Sequence, residues 1–370
     1  MSPRRRSRSL HVGHVTVGGD APISVQSMAT TDTRDIVATV QQLRAMQATG
    51  ADIVRVAVPD LDAARCLRRI RQEIGIPLVA DIHFDHRLAL EAVRQGVDCI
   101  RYNPGNIGSA AHLRALVDAC KERRVPIRIG VNAGSLEKDL RNKYGPTAEA
   151  LVASALRHVA VLEAQGYGEI KISVKATDVS TMVAAYRMLA VKVDYPLHLG
   201  VTEAGTPLPG TVKSAIGIGL LLADGIGDTI RVSLAADPLE EVKVGLAILK
   251  ALGLRRQGAT VIACPSCGRA RVDVFRMAAR VEERLRAVKA DIRVAVMGCE
   301  VNGPGEAREA DVGIAGAAGF YLLFRHGRIV GRVPEESAEE TLVGEALRIV
   351  KHGETHVEAP RQRLVVLGGA

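Results

Sequence analysis

The sequence predicts an α/β protein with an N-terminal TIM (β/α)8 barrel and a small α+β domain after it. Its 370 residues favour two domains. Aromatic residues make up only 3% of the chain and Trp is absent, so the core must consist of Val, Leu, Ile and Ala. That composition is common in buried parallel strands with covering helices. Short β-branched segments alternate with amphipathic segments through the first two thirds, as expected for repeated strand–helix units.

Eight segments are predicted as the barrel strands, and their number and span match a barrel of about 250 residues. They are Ser24–Met28, Ile53–Pro59, Leu78–Phe84, Cys99–Gly105, Ile127–Gly134, Ile170–Ala176, Leu197–Gly205 and Thr229–Leu234. A doubly wound open sheet is the alternative, but it would carry a Gly-rich loop after its first strand, and Gln26–Ala29 is not one. The pattern changes after Leu252, which predicts domains at residues 1–252 and 253–370.

Composition and charge exclude several classes of protein. The 24% of charged residues are ordinary for a globular chain, and no segment has eighteen uninterrupted apolar residues, so we expect no membrane span. The net charge of +8 favours an anionic partner, whereas the scarcity of aromatics disfavours a stacking platform for nucleic acid. The start, MSPRRRSRSL, is expected to be a frayed, solvated arm. Six cysteines without a secretion signal indicate a reducing cytoplasm.

The predicted strands carry polar residues that share one face. Alternation along a strand places residues of equal parity on the same side. An isolated charge in a half-buried strand costs several kcal/mol, yet six strands carry one. Because active sites of this fold lie at the carboxyl ends of the strands, these side chains are candidates for the site. They are Arg55, Asp81, His83, Arg101, Asn103, Arg128, Asn132, Lys171, Ser173, Lys175, Glu203, Arg231 and Ser233.

Basic residues outnumber acidic ones in this set, with Asp81 and Glu203 as the acids. Guanidinium groups bind phosphate oxygens in pairs, and each charge-assisted hydrogen bond contributes about 1.5–3 kcal/mol. The barrel mouth is therefore predicted to bind a small polyanion such as a diphosphate.

The last third carries a candidate metal site. Cys264 and Cys267 form a Cys-x-x-Cys pair, and Cys299 follows a predicted strand over 292–297. Three thiolates and one odd ligand suit a 4Fe–4S cluster. Glu306, brought back by an Asn-Gly-Pro-Gly turn, is the candidate fourth ligand, and a carboxylate exchanges more readily than a thiolate. A structural zinc site and inert thiols remain open from spacing alone. The single cysteines Cys66, Cys99 and Cys120 are predicted to be buried.

The two cysteine motifs, CPSCGR and MGCEVNGPGEA, resemble those of the hydroxymethylbutenyl diphosphate synthase family. The resemblance extends through the barrel and covers nearly the whole chain. The barrel segments that carry it are VQSM, VRVAVP, ADIHFD, RYNPGNIG, RIGVNAGSLE, SVKATD, LGVTEAG and RVSL. No room remains between Leu252 and Cys264 for the extra domain of some family members, which indicates the two-domain bacterial form.

The resemblance implies an N-terminal barrel with a C-terminal cluster-binding domain, a reaction and a set of site residues. The reaction is the two-electron reductive ring opening and dehydroxylation of 2-C-methyl-erythritol 2,4-cyclodiphosphate to 4-hydroxy-3-methylbut-2-enyl diphosphate, in isoprenoid biosynthesis. Cys264, Cys267, Cys299 and Glu306 match the ligands of a 4Fe–4S cluster. Glu203 matches the candidate proton donor, with Asp81 and His83 near the same mouth. The residues that match the diphosphate grip are Arg55, Arg101, Arg128, Asn132, Lys175, Arg231 and Ser233.

The resemblance also implies partners. It predicts ferredoxin or flavodoxin as electron donor, which suits the basic net charge. It predicts a head-to-tail homodimer, with no nucleic-acid or membrane partner. The alternative from the residues is a pterin-binding or aldolase-type barrel with a structural zinc site and no redox role.

Overall fold

The computed structural model describes residues 1–83, 85–102, 109–256, 258–300 and 307–355. The chain folds into two compact units, Met1–Arg255 and Arg256–Ala370. The predicted Glu306 ligand and the end of the predicted fourth strand lie outside the described residues. No helix among the described residues is long and apolar enough to cross a membrane.

The first unit is a parallel barrel, as predicted. Its eight-stranded sheet has the order β8-β7-β6-β5-β4-β3-β10-β9, and a bridge between Ile172 and Leu197 joins the two ends. The strands are β3 (Ser24–Met28), β4 (Ile53–Ala57), β5 (Leu78–Asp81), β6 (Cys99–Arg101), β7 (Ile127–Asn132), β8 (Ile170–Lys175), β9 (His198–Leu199) and β10 (Thr229–Ile230). The predicted seventh and eighth strands are too long, because backbone pairing ends where the mouth loops begin.

Helices follow each barrel strand and cover the outside of the sheet. Asp35, Asp60, Asp178 and Asp237 cap four of them through side-chain oxygens that accept backbone N–H groups of the first turn. The described helices are α1 (Ile36–Thr49), α2 (Leu61–Gln72), α3 (His86–Arg94), α4 (Ala110–Arg123), α5 (Lys138–Tyr144), α6 (Ala148–Glu163), α7 (Val179–Ala190), α8 (Pro207–Ala223) and α9 (Pro238–Ala251).

A hairpin closes the amino-terminal end of the barrel. Its strands, β1 (Leu10–Val12) and β2 (Val15–Val17), pair antiparallel. The apolar side chains of this hairpin pack against the first inward residues of three barrel strands, which are Ile53, Val79 and Cys99. The hairpin therefore forms an apolar floor beneath the barrel interior.

The arginine-rich arm is bound to the barrel, so the expectation of a frayed N-terminus is wrong. Asp228, only 3% exposed, pairs with Arg4 at 3.0 Å and with Arg5 at 3.7 Å, and it accepts a hydrogen bond from Ser7. The backbone of Arg5 donates to Gly225. A buried carboxylate needs partners of opposite charge, which explains why the arm folds onto this end.

Replacement of both Arg4 and Arg5 by glutamine is expected to destabilise the barrel by about 3 kcal/mol, because it leaves Asp228 buried without a cation. Thermal unfolding of the full chain would show a fall of several degrees in melting temperature. Arg6 is exposed, so Arg6→Gln is the matched control and should leave the transition unchanged. Equal stability of the double variant and the control would contradict this role of the arm.

The second unit is a five-stranded mixed sheet with two described helices against it. The strand order is β11-β12-β13-β14-β15, parallel among the first three and antiparallel among the last three. Apolar residues of the strands and of both helices form one core. The elements are β11 (Ala259–Ala263), α10 (Val274–Leu285), β12 (Ile292–Met297), β13 (Val312–Gly316), β14 (Phe320–Arg325), β15 (Arg328–Pro334) and α11 (Ala338–His352).

Candidate functional site

The barrel interior above the floor is polar and strongly basic. Inward-facing cations stand on strands β4, β6, β7 and β8 and just after β10. Two carboxylates, Asp81 on β5 and Glu241 on α9, contact cations of this set. Among the described residues the count is six cations against two carboxylates, a formal excess of four positive charges. The cations are Arg55, Arg101, Arg128, Lys171, Lys175 and Arg231.

Asp81 at the end of β5 organises one side of the mouth. Its carboxylate lies 3.3 Å from an Arg101 nitrogen, 3.8 Å from Arg55 Nε and 3.5 Å from His83 Nε2. Burial opposes ionisation, but the charge of Arg55, the hydrogen bond with His83 and the charge of Arg101 together hold the pKa of Asp81 far below its usual range. Asp81 therefore stays ionised, which suits an orienting role for the two arginines better than proton donation.

Arg128 lies at the centre of the cation set. It is 2% exposed and donates a hydrogen bond of 2.7 Å to Ser173 Oγ. It forms no ion pair with any carboxylate in the described part of the chain. Burial, followed by the charges of Arg55 and Arg101, lowers its pKa well below the ordinary value. A buried guanidinium without a counter-ion is strongly unfavourable unless an anion binds to it.

Two glycines make room for the cations. A side chain at Gly130 would place its Cβ 2.5 Å from Arg101 Nε, and one at Gly200 would place it 2.7 Å from Lys175 Nζ. Real Cβ atoms do not approach other atoms so closely. Arg101 also donates to the Gly130 carbonyl at 3.0 Å. Both glycines thus serve the packing of the site.

The remaining predicted mouth residues lie at the same end of the barrel. Asn132 ends β7, and Ser233 lies three residues beyond β10, and both are half-buried. Glu203 follows β9 in an exposed loop, with φ of 51°, a left-handed conformation that is uncommon for a residue with a side chain. Its carboxylate accepts a hydrogen bond of 3.4 Å from Thr177. No described contact joins Glu203 to the basic set.

Sequence patterns missed three interior groups. Glu241 stands on α9 and pairs with Arg231 at 3.4 Å, and the helix assignment hid its approach to the mouth. His198 and Gln26 are fully buried on β9 and β3. His198 has the same parity as Gly200, which directly follows β9 and lies against Lys175, and this parity was the signal that could have found it.

The three cysteines of the second unit lie where neighbouring parallel strands end. Cys264 follows β11 and Cys299 lies two residues beyond β12, and Ala263 pairs in register with Val296. Cys264 Sγ accepts a hydrogen bond of 3.2 Å from the Gly298 N–H, and Arg271 N–H donates to the Gly298 carbonyl at 2.9 Å. These bonds hold the two cysteine loops against each other.

The exposed Cys267 is poised to ionise. Hydrogen bonds from the backbone and side chain of Arg269 lower the pKa of its thiol, and the thiolate is the form that binds metal. Cysteine thiolates at the ends of two adjacent strands fit the ligands of an iron–sulfur cluster. Among the described residues, no three His, Cys, Asp or Glu side chains are close enough to hold a single metal ion.

Fold and site together define a barrel enzyme for a small polyanion with a cysteine-bearing domain after the barrel. Residues 7–246 match the family model described as the GcpE TIM-barrel domain, and residues 260–348 match the GcpE protein C-terminal domain. The chain belongs to the GcpE family.

The curated relatives agree with the family models. A 4-hydroxy-3-methylbut-2-en-1-yl diphosphate synthase (flavodoxin) of Geobacter sulfurreducens is 58% identical over 94% of this chain and 99% of its own length. The protein of the same name from Azotobacter vinelandii is 56% identical over 98% of this chain and 97% of its own. Among solved structures, dihydropteroate synthase of Xanthomonas albilineans covers 67% of this chain and 98% of its own, with a TM-score of 0.48 and 16% identity.

Proposed function

We propose that this chain is an iron–sulfur enzyme that converts 2-C-methyl-erythritol 2,4-cyclodiphosphate to 4-hydroxy-3-methylbut-2-enyl diphosphate by two-electron reduction. The observation that carries the proposal is the excess of buried cations in the barrel mouth, which fits a diphosphate. The names of the two curated relatives support the product. They do not favour the alternative of a pterin-binding or aldolase-type barrel with structural zinc.

In this proposal the barrel binds the diphosphate. Arg128 has no carboxylate partner among the described residues, so its guanidinium is available for phosphate oxygens. Asp81 orients Arg55 and Arg101 toward the same mouth, with His83 at its edge. Charge-assisted bonds in a dry site are strong, and several of them offset the cost of desolvating the anion. Further contacts are assigned to Asn132, Lys175, Arg231 and Ser233.

The cofactor proposed is a 4Fe–4S cluster held by Cys264, Cys267 and Cys299, with Glu306 as fourth ligand. The hydrogen bonds that join the Cys264 and Cys299 loops support this assignment. When bound, such a cluster supplies electrons one at a time.

An anaerobic assay tests the proposed function. The purified, cluster-loaded protein is mixed with the cyclodiphosphate and dithionite, and the linear diphosphate is measured by chromatography. Turnover that requires both substrate and reductant supports the proposal. Iron-loaded protein that leaves the cyclodiphosphate intact would refute it.

Glu203 is proposed to supply a proton to the departing hydroxyl. The Glu203→Gln variant is expected to lose about 100- to 1,000-fold in kcat with little change in KM, because general acid catalysis contributes on that scale. The exposed Glu169→Gln is a control that leaves the mouth untouched. Full kcat in the Glu203 variant would remove this assignment.

The electron donor is proposed to be flavodoxin, an acidic protein, which docks near Cys267. Three exposed arginines follow this cysteine within nine residues and pair with no carboxylate in the described part of the chain: Arg269, Arg271 and Arg276. Raising the ionic strength should therefore slow flavodoxin-driven turnover more than dithionite-driven turnover. Equal salt dependence would contradict the docking site. A cytoplasmic location suits thiols that must stay reduced.

A homodimer is also proposed, with α8 at its interface. Four apolar side chains, each four residues apart, are 45–76% exposed along one face of this helix: Leu208, Val212, Ile216 and Leu220. Gly219 lies between them with open space above it. An uncharged stripe of this kind can pair with its own copy about a two-fold axis.

The Ile216→Asp variant is expected to be monomeric where the parent protein is a dimer, because a carboxylate cannot be buried in an apolar contact. Sedimentation velocity measures this difference. Val191 is also apolar and 86% exposed but stands outside the stripe, so Val191→Asp should remain dimeric. A parent protein that sediments as a monomer would exclude the interface.

A further inference from the structure

A layer of polar groups lies inside the barrel, between the apolar floor and the mouth. Lys171 on β8 and His198 on β9 are both fully buried, and Gln26 on β3 is 1% exposed. The Lys171 amine, both ring nitrogens of His198 and both amide atoms of Gln26 have no hydrogen-bond partner among the described residues. Lys171 lies in register with Arg128 on the neighbouring strand, two residues before the Ser173 that accepts a hydrogen bond from Arg128. The layer therefore adjoins the diphosphate site directly.

The charges around the Lys171 amine are predominantly positive. Its electrostatic neighbours come from four parts of the barrel: Arg55 on β4, Cys99 on β6, Arg128 on β7 and Asp228 just before β10. Asp228 already pairs with Arg4 and Arg5. Burial, together with the charges of Arg128 and Arg55, lowers the pKa of Lys171 to about 8. Cys99 acts in the opposite direction and raises it. A large fraction of this amine is thus neutral in the free protein at mildly alkaline pH.

Arrival of a diphosphate changes this balance. An anion bound by Arg128 places negative charge next to the layer of Lys171, His198 and Gln26. A nearby negative charge favours the protonated form of an amine. Linkage then requires binding to take up a proton. Lys175 lies on the same face of β8 and is also buried, and burial and the charges of Arg231 and Arg128 hold its pKa well below the ordinary value, so a bound anion favours protonation of both amines. His198 is expected to contribute less, because burial and the charges of Arg128 and Lys175 hold its pKa well below the ordinary value.

We propose that docking of the cyclodiphosphate is coupled to uptake of a proton from solvent by Lys171. This inference rests on the proposed function and adds to it a role for a group below the binding site. The reaction consumes two electrons and one proton. Cleavage of the ring C–O bond leaves a further negative charge on the diphosphate, and cleavage of the second C–O bond releases a hydroxyl that takes the proton and leaves as water. A protonated Lys171 offsets that further charge.

Calorimetric titration of the oxidised, cluster-loaded protein with the cyclodiphosphate tests the coupling without turnover. Titrations at pH 8 in Tris and in HEPES give the number of protons taken up, from the dependence of the observed enthalpy on the ionisation enthalpy of the buffer. We expect net uptake, which declines below pH 7, where Lys171 is already protonated in the free protein. The dissociation constant should rise with pH above 8, by up to tenfold per pH unit for each proton coupled to binding.

The Lys171→Met variant removes the amine and keeps an unbranched apolar side chain of similar length. It should bind with fewer protons taken up and with a flatter dependence of the dissociation constant on pH, while the exposed Lys192→Met control matches the parent. If the variant does not fold, the parent titration still tests the inference: uptake at pH 8 that declines below pH 7 supports it, and absence of uptake overturns it. Binding without proton uptake, or equal uptake in the parent and Lys171→Met, would overturn the inference. Failure of the cyclodiphosphate to bind the parent at all would instead overturn the proposed function.

Discussion

The Arg128→Met variant is expected to lose substrate binding by at least about 100-fold while it unfolds at a higher temperature than the parent. The loss follows from the removal of charge-assisted hydrogen bonds to the diphosphate, each contributing about 1.5–3 kcal/mol. The gain follows from the cost of keeping a guanidinium 2% exposed with no carboxylate partner among the described residues. Opposite changes in affinity and stability are typical of a binding residue and not of a core residue.

Calorimetric titration with the cyclodiphosphate and thermal unfolding without it measure the two effects. Arg65→Met is the control, because Arg65 is exposed on α2 and forms a surface pair with Asp62. That control should change neither quantity measurably. A lower unfolding temperature in Arg128→Met would show that the guanidinium is structural, and unchanged affinity would remove it from the binding site.

The Cys264→Ser variant is expected to lose its iron and acid-labile sulfide and, with them, reductive turnover. A hydroxyl is a poor ligand for iron in such clusters, yet it can accept the Gly298 hydrogen bond that the thiol accepts now. The sheet of the second unit should therefore stay folded, as circular dichroism would show. Iron and sulfide analysis of anaerobically purified protein measures the loss.

Cys66→Ser is the matched control for this substitution. Cys66 lies on α2 of the barrel, packed against its apolar core and far in sequence from all four proposed ligands. That variant should retain full iron and sulfide. Retention of both in Cys264→Ser would mean that Cys264 is not a ligand, and loss from Cys66→Ser would mean that the assay reports general damage.

Strands of both units could be predicted because each strand has its own local pattern. The buried segments Ser24–Met28 and Ile292–Met297 are strands over the predicted residues. The hairpin β1–β2 was missed because two strands of three residues each leave no clear alternation beside an arginine-rich start. Strand β11 was missed because none of its residues is fully buried, so it lacks the pattern of a core strand.

The site was predictable to the extent that alternation fixes which way a strand residue faces. That rule placed Arg55, Arg101 and Arg128 on one inner surface. It gave no information on pairing, so the position of Asp81 between two arginines emerged only from the structure. The prediction relied on charged residues within strands. It therefore could not find side chains on helices, such as Glu241, or neutral interior groups, such as Gln26, whose positions require three-dimensional coordinates.

The hairpin beneath the barrel closes the interior at its amino-terminal end. The apolar side chains of Leu10, Val12 and Val17 pack against the beginnings of the barrel strands. Solvent and small molecules therefore enter and leave through the mouth at the opposite end. Water released during a reaction must leave by the path along which the reactant entered. A ligand bound in the mouth then separates the polar layer of Lys171 from solvent, and the protonation state of Lys171 set on binding persists until the product leaves.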